Sequence, residues 1–171
     1  MLHNEILQQP TLLIGVTYAL LDFAEKFKMK LTNTTVMETG GMKGRREELT
    51  REQVHEILQL RLGTQVIHSE YGMTELLSQA YSDGKGLFKC APWMKVLIRD
   101  EDDPMLIKAP THGNKSSVAG AINIIDLANI YSCGFIATDD LGKIYSNEHF
   151  EVLGRCDASE ARGCSLLTIA G

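Results

Sequence analysis

The stretch TQVIHSEYGMTE, from Thr64 to Glu75, decides the fold. Its first half, TQVIHS at 64–69, contains the β-branched residue types that favour a strand. Gly72 then permits a turn, after which we expect a helix to begin. A strand that ends in a glycine turn and opens a helix brings polar groups to the carboxyl edge of a sheet, where α/β proteins bind ligands. The stretch therefore predicts an α/β fold with a binding site at that edge.

The helix before this strand has clear signals at both ends. Thr50 is a suitable N-cap, and Gln53, three positions later, completes a capping box. Gly63 supplies the left-handed residue with which helices often end. Between these ends, apolar residues recur at helical spacing, at Val54, Ile57, Leu58 and Leu62. The sequence predicts a helix over residues 50–62.

Two segments further upstream extend the pattern. TTVMETGG, at 34–41, has the composition of a buried strand and ends in paired glycines. With the helix and the strand at 64–69 it makes a succession of about 35 residues, the length of a βαβ unit with parallel strands. TLLIGVTYALLDFAEKF, at 11–27, starts like a strand and continues with apolar residues at helical spacing. We therefore expect a parallel sheet in the first part of the chain.

After residue 90 the pattern changes to short β-type runs separated by turn-like stretches. The runs are MKVLI at 94–98, AINII at 121–125, GFIAT at 134–138, KIYS at 143–146 and FEVLG at 150–154. The predicted fold class is thus α/β, with a βαβ-containing sheet followed by a mostly antiparallel β region. We interpret residues 1–90 as the α/β part and residues 91–171 as the β-rich part of one domain.

Composition excludes several classes of protein. The hydrophobic fraction of 44%, the charged fraction of 23% and the formal charge of -5 are typical of a soluble globular chain and favour neither nucleic acid nor an anionic membrane as partner. The most apolar run, at 12–23, is too short to span a bilayer. The five histidines lack the spacing of metal ligands. The cysteines form no Cys-x-x-Cys pair, which favours reduced thiols in a cytoplasm: Cys90, Cys133, Cys156 and Cys164.

Groups suited to a nucleotide converge in the hexapeptide at 70–75. Tyr71 offers a flat face to a base, Thr74 a hydroxyl to a phosphate oxygen, and Glu75 a hard oxygen ligand to magnesium. The alternative is structural, with Tyr71 in the core and Thr74 as a helix cap. The hexapeptide by itself leaves both interpretations open.

Four motifs in a characteristic order point to one enzyme family. Tyr-Gly-x-Thr-Glu is matched at 71–75, a glycine-rich strand end at 39–41, Thr-Gly-Asp-Leu-Gly with one change at 138–142, and Gly-Arg-x-Asp at 154–157. In these features the chain resembles the adenylate-forming enzymes, which include acyl-CoA synthetases, phenylacetate-CoA ligases and firefly luciferase. The resemblance implies the fold of those enzymes.

The resemblance also implies ATP and Mg²⁺ as cofactors and a role for each matched residue. The assignments are adenine for Gly40, Gly41 and Tyr71, the α-phosphate for Thr74, magnesium for Glu75, and the ribose hydroxyls for Asp140 and Arg155. A carboxylate accepts two vicinal hydroxyls well, and a guanidinium can donate to the same sugar. Asp140 and Arg155 are fifteen positions apart, which is the spacing that the resemblance implies for a ribose-binding pair.

Longer segments are most similar to the acyl-protein synthetases of bacterial bioluminescence, which act in a fatty acid reductase complex. The segments are 38–57, 68–82, 86–100 and 153–165, and the resemblance covers essentially all 171 residues. It implies that a fatty acid is activated with ATP as acyl-AMP, with release of pyrophosphate, and that the acyl group then passes to a thiol. An acyl-accepting, reductase-like protein is the implied partner.

Cys164 is the acyl acceptor that the resemblance implies, because acyl-protein synthetases carry such a cysteine near the C-terminus. Arg162 beside it would favour the thiolate. Two alternatives stay open. Cys164 is an inert small residue, or Cys156, inside the Gly-Arg-x-Asp motif, carries the acyl group.

Two family segments have no counterpart in the printed sequence: the Ser/Thr/Gly-rich phosphate loop and the large C-terminal lid with its catalytic lysine. Acyl-protein synthetases also lack the lid. The missing loop leads us to expect only the C-terminal portion of an enzyme, inactive alone in ATP–pyrophosphate exchange, with an N-terminal half or partner chain covering exposed apolar surface. The alternatives are a CoA ligase of the phenylacetate type and a non-catalytic half-domain that binds a partner chain.

Overall fold

The computed structural model of the protein describes residues 8–40, 49–110 and 116–156, which fall into two compact units. The first unit comprises the described residues up to Gly72 together with Ala80–Phe88. The second comprises Met73–Gln79 and the described residues from Lys89 onward. The predicted α/β class is confirmed, since helices and a parallel sheet precede an antiparallel region.

The first unit contains two helices and a small mixed sheet. Its elements are β1 (Thr11–Val16), α1 (Thr17–Lys26), β2 (Thr34–Thr39), α2 (Arg51–Leu62), β3 (Ile67–Tyr71) and β4 (Ala80–Ser82). The first three strands are parallel neighbours in chain order, and β4 pairs antiparallel with β3. The predicted βαβ unit is therefore confirmed as β2, α2 and β3.

Helix α2 begins and ends as its sequence predicts. The Thr50 hydroxyl accepts from the Gln53 N–H, and the Gln53 side chain accepts from the Thr50 N–H at 2.9 Å, which completes the capping box. Gly63 closes the helix with a φ of 62°. A Cβ at this position would lie 3.0 Å from the Lys30 backbone, so both conformation and space require glycine.

The core of the first unit lies between the sheet and both helices. Apolar side chains of α1 and α2 meet the inward residues of β2 and β3, and Leu31 joins them from the segment between α1 and β2. The buried residues of this core are Leu20, Leu21, Ala24, Leu31, Val36, Val54, Leu58, Leu62 and Ile67. Leu58 is fully buried, and removing a buried leucine side chain typically costs about 2–5 kcal/mol. This core fixes the strand ends that carry the first two motifs.

The second unit is an antiparallel sheet. Its strands are β6 (Met94–Arg99), β7 (Ile107–Lys108), β8 (Ser117–Asp126), β9 (Phe135–Tyr145) and β10 (Phe150–Arg155), while the short β5 (Phe88–Cys90) lies at the boundary of the two units. The strands of this sheet run in the order β10, β9, β8, β6, β7. Every pairing among them is antiparallel, as predicted.

Strand β9 differs from its prediction. The sequence predicts two strands, 134–138 and 143–146, with a turn between them, but the chain is continuous from Phe135 to Tyr145. It stays extended because β8 and β10 pair with it on either side. Gly142 belongs in this strand for packing reasons, since a Cβ there would lie 2.5 Å from the Ile122 side chain.

Among the described residues, no helix is long and apolar enough to cross a membrane.

Candidate functional site

The glycine turn after β2 is the first predicted contact for a nucleotide. Gly40 has a φ of 75°, in the left-handed region that glycine adopts readily. Its carbonyl oxygen contacts the hydroxyl of Thr17, the first residue of α1. Apart from its chain neighbours, no described residue has an atom within 4 Å of the place that a Cβ on Gly40 would take. Gly41 lies outside the described residues.

Tyr71, the last residue of β3, packs inside the first unit. Its side chain is 9% exposed, and its ring meets that of Phe88 edge-on with centroids 6.1 Å apart. The Arg51 guanidinium lies 5.1 Å from the Phe88 centroid. This packing favours the core interpretation of Tyr71, and its contact with adenine stays a prediction.

Thr74 and Glu75 lie in a turn, so the prediction of a helix after Gly72 is wrong. Thr74 therefore caps no helix, and its structural alternative is excluded. Both side chains are exposed. An exposed hydroxyl next to an exposed carboxylate fits phosphate and magnesium, because Mg²⁺ is usually held by one or two carboxylates together with phosphate oxygens and water.

Asp126 explains why a turn forms here. It is fully buried at the end of β8, and its carboxylate accepts from the N–H of Leu77 at 3.0 Å, from the N–H of Ser78 at 2.9 Å and from the Ser78 hydroxyl at 2.7 Å. An amide N–H that donates to a side chain is not available for the backbone hydrogen bonds of a helix. Asn129 adds a hydrogen bond from Nδ2 to the Glu75 carbonyl at 2.7 Å. Burial raises the pKa of Asp126, but these hydrogen bonds outweigh it and hold the pKa below its ordinary value.

The predicted ribose pair comes together on a hairpin. Asp140 in β9 and Arg155 in β10 are direct partners in the antiparallel register. Asp140 is half-buried, and its N–H donates to the Thr138 hydroxyl at 3.1 Å. Arg155 is exposed, with Nη2 3.3 Å from Oδ2 of Asp139. Asp139 stands where the resemblance has glycine, so the one change in the motif places a second carboxylate beside the arginine.

Arg99 of β6 braces the strand that carries Asp140. Its guanidinium donates to the carbonyls of Ile122 at 2.9 Å and Thr138 at 2.8 Å, and to Oδ1 of Asn123 at 2.7 Å. The Thr138 hydroxyl donates to the same Ile122 carbonyl at 2.9 Å. The backbone at the start of the ribose motif is thereby held by the side chains of Arg99 and Thr138.

A buried polar cluster adjoins the glycine turn in the first unit. At its centre Glu38 is 7% exposed and accepts from the Thr17 hydroxyl at 2.8 Å. Arg51 and His55 of α2 approach its carboxylate at 3.9 and 3.8 Å. Burial raises the pKa of Glu38, but the polar contacts of His55, Ser69 and Thr17 and the charge of Arg51 outweigh it and hold the pKa below its ordinary value.

This cluster is not a catalytic triad. Ser69 and Glu38 both approach Nε2 of His55, at 3.2 and 3.8 Å, whereas a triad histidine uses its two ring nitrogens for its two partners. Ser69 is also fully buried. The cluster therefore ties α2 to strands β2 and β3.

Sequence reasoning missed both sets of buried polar residues. Asp126 and Asn129 lie far along the chain from the turn that they hold, and His55 lies on a helix face otherwise lined with apolar residues. The available signal was an acid within or at the end of an apolar strand, Glu38 in TTVMET and Asp126 in AINIID. Such an acid is buried only with partners.

Two of the described thiols, Cys90 and Cys156, are poor nucleophiles. Burial raises the pKa of Cys90 to about 11. Desolvation and nearby carboxylates, including Asp139 and Asp140, raise the pKa of Cys156, with Arg99 acting in the opposite direction. Cys164 lies outside the described residues. Within the described ranges, no group of three or more His, Cys, Asp or Glu side chains could hold a metal ion by itself.

Solved structures share this architecture. The ATP-bound crystal structure of MatB from Rhodopseudomonas palustris matches with a TM-score of 0.61 and 16% identity, over 85% of this chain and 31% of that one. O-succinylbenzoate coenzyme A synthetase (MenE) from Bacillus subtilis, in complex with ATP and magnesium ion, matches with a TM-score of 0.59 and 19% identity, over 91% and 34%. A mutant form of coronafacic acid ligase from Pectobacterium brasiliense matches with a TM-score of 0.59 and 16% identity, over 84% of this chain and 29% of that one. The chain shares the fold of the matching part of these structures, as the resemblance to adenylate-forming enzymes implies.

This chain spans about a third of the length of these matched structures. A scan against protein-family models and a search of curated proteins both find no match. The TM-scores of 0.61 and 0.59 establish a shared fold, while identities of 16% and 19% carry no reaction over, so the reaction has to be inferred from the residues.

Proposed function

We propose that the chain supplies the nucleotide-binding part of an acyl-protein synthetase, which activates a fatty acid as acyl-AMP and passes the acyl group to a cysteine thiol. The observation that carries this proposal is the direct cross-strand pairing of Asp140 with Arg155. Two residues chosen by motif alone could have fallen anywhere on the fold. Their meeting on one hairpin supports a common ligand, for which the vicinal hydroxyls of ribose are suited.

In this mechanism Asp140 accepts hydrogen bonds from the ribose hydroxyls and Arg155 donates to the same sugar. The strand that bears Asp140 is held in advance by Arg99 and Thr138, so little ordering is required when the nucleotide binds. The Asp139 carboxylate lies beside the Arg155 guanidinium, at 3.3 Å.

At the exposed turn, Thr74 donates its hydroxyl to the α-phosphate and Glu75 holds the metal. Magnesium, when bound, neutralises the charge that builds on the phosphoryl oxygens. The Glu75 side chain is exposed, so it can approach a hydrated ion without first losing a buried partner. Gly40 has no side chain, so a flat base can approach its backbone closely.

Calorimetric titration of the purified chain with ATP, 2′-deoxy-ATP and GTP, with and without Mg²⁺, tests the proposal. ATP should bind more tightly with Mg²⁺, and loss of one hydroxyl that pairs with a carboxylate should weaken binding about ten-fold. GTP should bind less tightly than ATP. A chain that binds none of the three nucleotides would contradict the proposal.

Two other functions have specific observations in their favour. The match to a coenzyme A synthetase favours a CoA ligase, in which the acyl group goes to CoA. Exposed apolar side chains between β8 and β9 and at the start of β9 favour a non-catalytic half-domain that binds a partner chain: Leu127, Ile130, Tyr131 and Phe135. Incubation of the chain with preformed fatty acyl-AMP, with and without CoA, separates them. A protein adduct supports the acyl-protein synthetase, acyl-CoA supports the CoA ligase, and neither product supports the half-domain.

A further inference from the structure

The turn that carries Thr74 and Glu75 is held by side chains from a distant part of the chain. Thr74 and Glu75 are exposed, so their positions depend on how the backbone beneath them is fixed. Within the second unit, that backbone is bound by Asp126, the last residue of β8, and by Asn129 in the following loop. The hydrogen bonds span 48 to 54 positions of sequence.

Asn129 uses both hydrogens of its amide. One Nδ2 bond goes to the Glu75 carbonyl at 2.7 Å and the other to the Cys133 carbonyl at 3.0 Å. Asn129 is 5% exposed, so its amide has little water to replace a lost acceptor. It therefore joins the carbonyl of the predicted magnesium ligand to the loop between β8 and β9.

The loop that presents Asn129 is itself ordered by Asp126. The Asp126 N–H donates to the Gly134 carbonyl at 2.8 Å, and the Asp126 carboxylate accepts from the Ala128 N–H at 3.1 Å. A Cβ on Gly134 would lie 2.9 Å from the Asp126 carbonyl oxygen, so the loop closes tightly only with glycine there. One buried carboxylate thus orders both the loop and the turn.

Trp93 completes the arrangement from a third direction. Its Nε1–H donates to the Ser78 hydroxyl oxygen at 2.8 Å, while that hydroxyl donates to Asp126 at 2.7 Å. Both the N–H and the hydroxyl of Ser78 are therefore engaged in hydrogen bonds. The fully buried Asp126 carboxylate thus accepts from four donors, which offset the cost of burying its charge.

We propose that Asp126 and Asn129 are positioning residues for the magnesium and α-phosphate contacts, setting where Glu75 and Thr74 stand before the nucleotide arrives. This role rests on the proposed function. Neither side chain touches the ligand, since both are buried and act on the backbone of the turn. The expected signature is a weaker response to magnesium with little change in metal-free nucleotide binding.

The test uses Asn129→Asp in the full chain, because aspartate keeps the shape but removes both N–H donors. Asp126→Asn is the second variant, which keeps one acceptor oxygen and loses the charge. The matched control is Asp103→Ala, since Asp103 also holds a turn of the second unit, accepting from the Met105 N–H at 3.1 Å. Circular dichroism verifies that each variant is folded.

Two measurements are made on each protein. Amide hydrogen exchange of residues 73–79 reports the turn directly, and titration with ATP in Mg²⁺ or in EDTA reports the ligand contacts. Asn129→Asp should speed exchange about ten-fold and weaken Mg²⁺-dependent ATP binding about ten-fold, with less than about two-fold change in EDTA. Asp103→Ala should change neither.

Unchanged exchange over 73–79 in both Asn129→Asp and Asp126→Asn overturns the positioning role, whatever the nucleotide titration shows. Equal loss of binding in Mg²⁺ and in EDTA overturns it as well, because a general structural defect would give that result. A wild-type chain that binds no ATP contradicts the proposed function instead, and the positioning of the turn is then decided by exchange alone.

Discussion

Asp140 and Arg155, fifteen positions apart in the sequence, face each other across the antiparallel pair of β9 and β10. The spacing of the two motifs along the chain is therefore set by the register of this hairpin. The Tyr145 N–H donates to the His149 carbonyl at 2.9 Å, which closes the hairpin turn between them. A change in the length of this turn would separate the pair even if both residues were kept.

The first prediction concerns the ribose contact of Asp140. Asp140→Ala should weaken ATP binding about ten-fold and should also abolish the difference between ATP and 2′-deoxy-ATP, because the lost hydroxyl no longer has an acceptor. Isothermal titration of both nucleotides against both proteins measures this as a double-mutant cycle. Additive effects of the two changes would show that Asp140 does not bind the 2′-hydroxyl.

Asp139→Gly is the matched control. It removes the neighbouring carboxylate, restores the residue implied by the resemblance and releases the Arg155 guanidinium from the contact at 3.3 Å. Both side chains of this ion pair are largely exposed, so stability should change by less than about 1 kcal/mol. ATP binding should stay equal or become tighter, and a loss as large as that of Asp140→Ala would assign the sugar contact to the wrong acid.

The second prediction concerns magnesium at Glu75. Glu75→Gln should raise the Mg²⁺ concentration required for half-maximal ATP binding by about ten-fold, because a neutral amide is a poorer ligand for a hard cation. Unfolding by urea should be unaffected, since the side chain is exposed. Glu148→Gln, a second exposed glutamate of the same unit, serves as the control. An unaltered Mg²⁺ titration for Glu75→Gln would remove Glu75 from the metal site.

The third prediction concerns acid stability and Glu38. The folded-state pKa of Glu38 is lowered, so the unfolded chain binds more protons in acid, and the stability due to its ionised form is present above the ordinary glutamate pKa of about 4.3. That stability is lost as the pH falls through the lower folded-state pKa. Near neutral pH, Glu38→Gln should reduce stability by about 1–3 kcal/mol, since the hydrogen bond from Thr17 loses a charged acceptor.

Urea unfolding of wild type and Glu38→Gln over pH values from about 7 to about 3 measures this difference. The gap between the two proteins should narrow as the solution becomes acidic. Glu56→Gln, on the exposed face of α2, is the control and should follow wild type throughout. A gap that is constant with pH would mean that the charge of Glu38 contributes nothing.

The fourth prediction concerns the acyl acceptor. Incubation of the chain with preformed fatty acyl-AMP should place the acyl group on Cys164, because acyl-AMP is a mixed anhydride that requires only a positioned thiolate. The raised pKa values of Cys90 and Cys156 disfavour acylation of these two thiols. Intact-protein mass spectrometry before and after hydroxylamine detects the thioester.

Cys164→Ser should remove the labile adduct, and Cys156→Ser should retain it. The opposite pattern, with the adduct surviving in Cys164→Ser and vanishing in Cys156→Ser, would move the carrier role to the Gly-Arg-x-Asp motif. Acylation of both variants to the wild-type level would indicate a third thiol, Cys90 or Cys133.

The sequence by itself determined those features whose physical causes are local. Thr50, Gln53 and Gly63 fix the ends of α2 because a capping box and a left-handed exit involve residues only a few positions apart. The βαβ unit follows from strand and helix periods in consecutive segments. The α/β class and the motif order could therefore be predicted from residues alone.

Only the tertiary structure decided the path of the chain after Gly72 and the surroundings of Tyr71. The local pattern predicts a helix, but Asp126, 48 positions from Ser78, takes the amides that a helix would use. Tyr71 is buried against Phe88, which is placed there by the fold of the first unit. The physical reason is common to both cases. A buried polar group forms hydrogen bonds with, and a buried ring packs against, the neighbours that the sheet brings to it. Sheet pairing joins residues that are far apart in the sequence, so the local sequence carries no signal of these contacts.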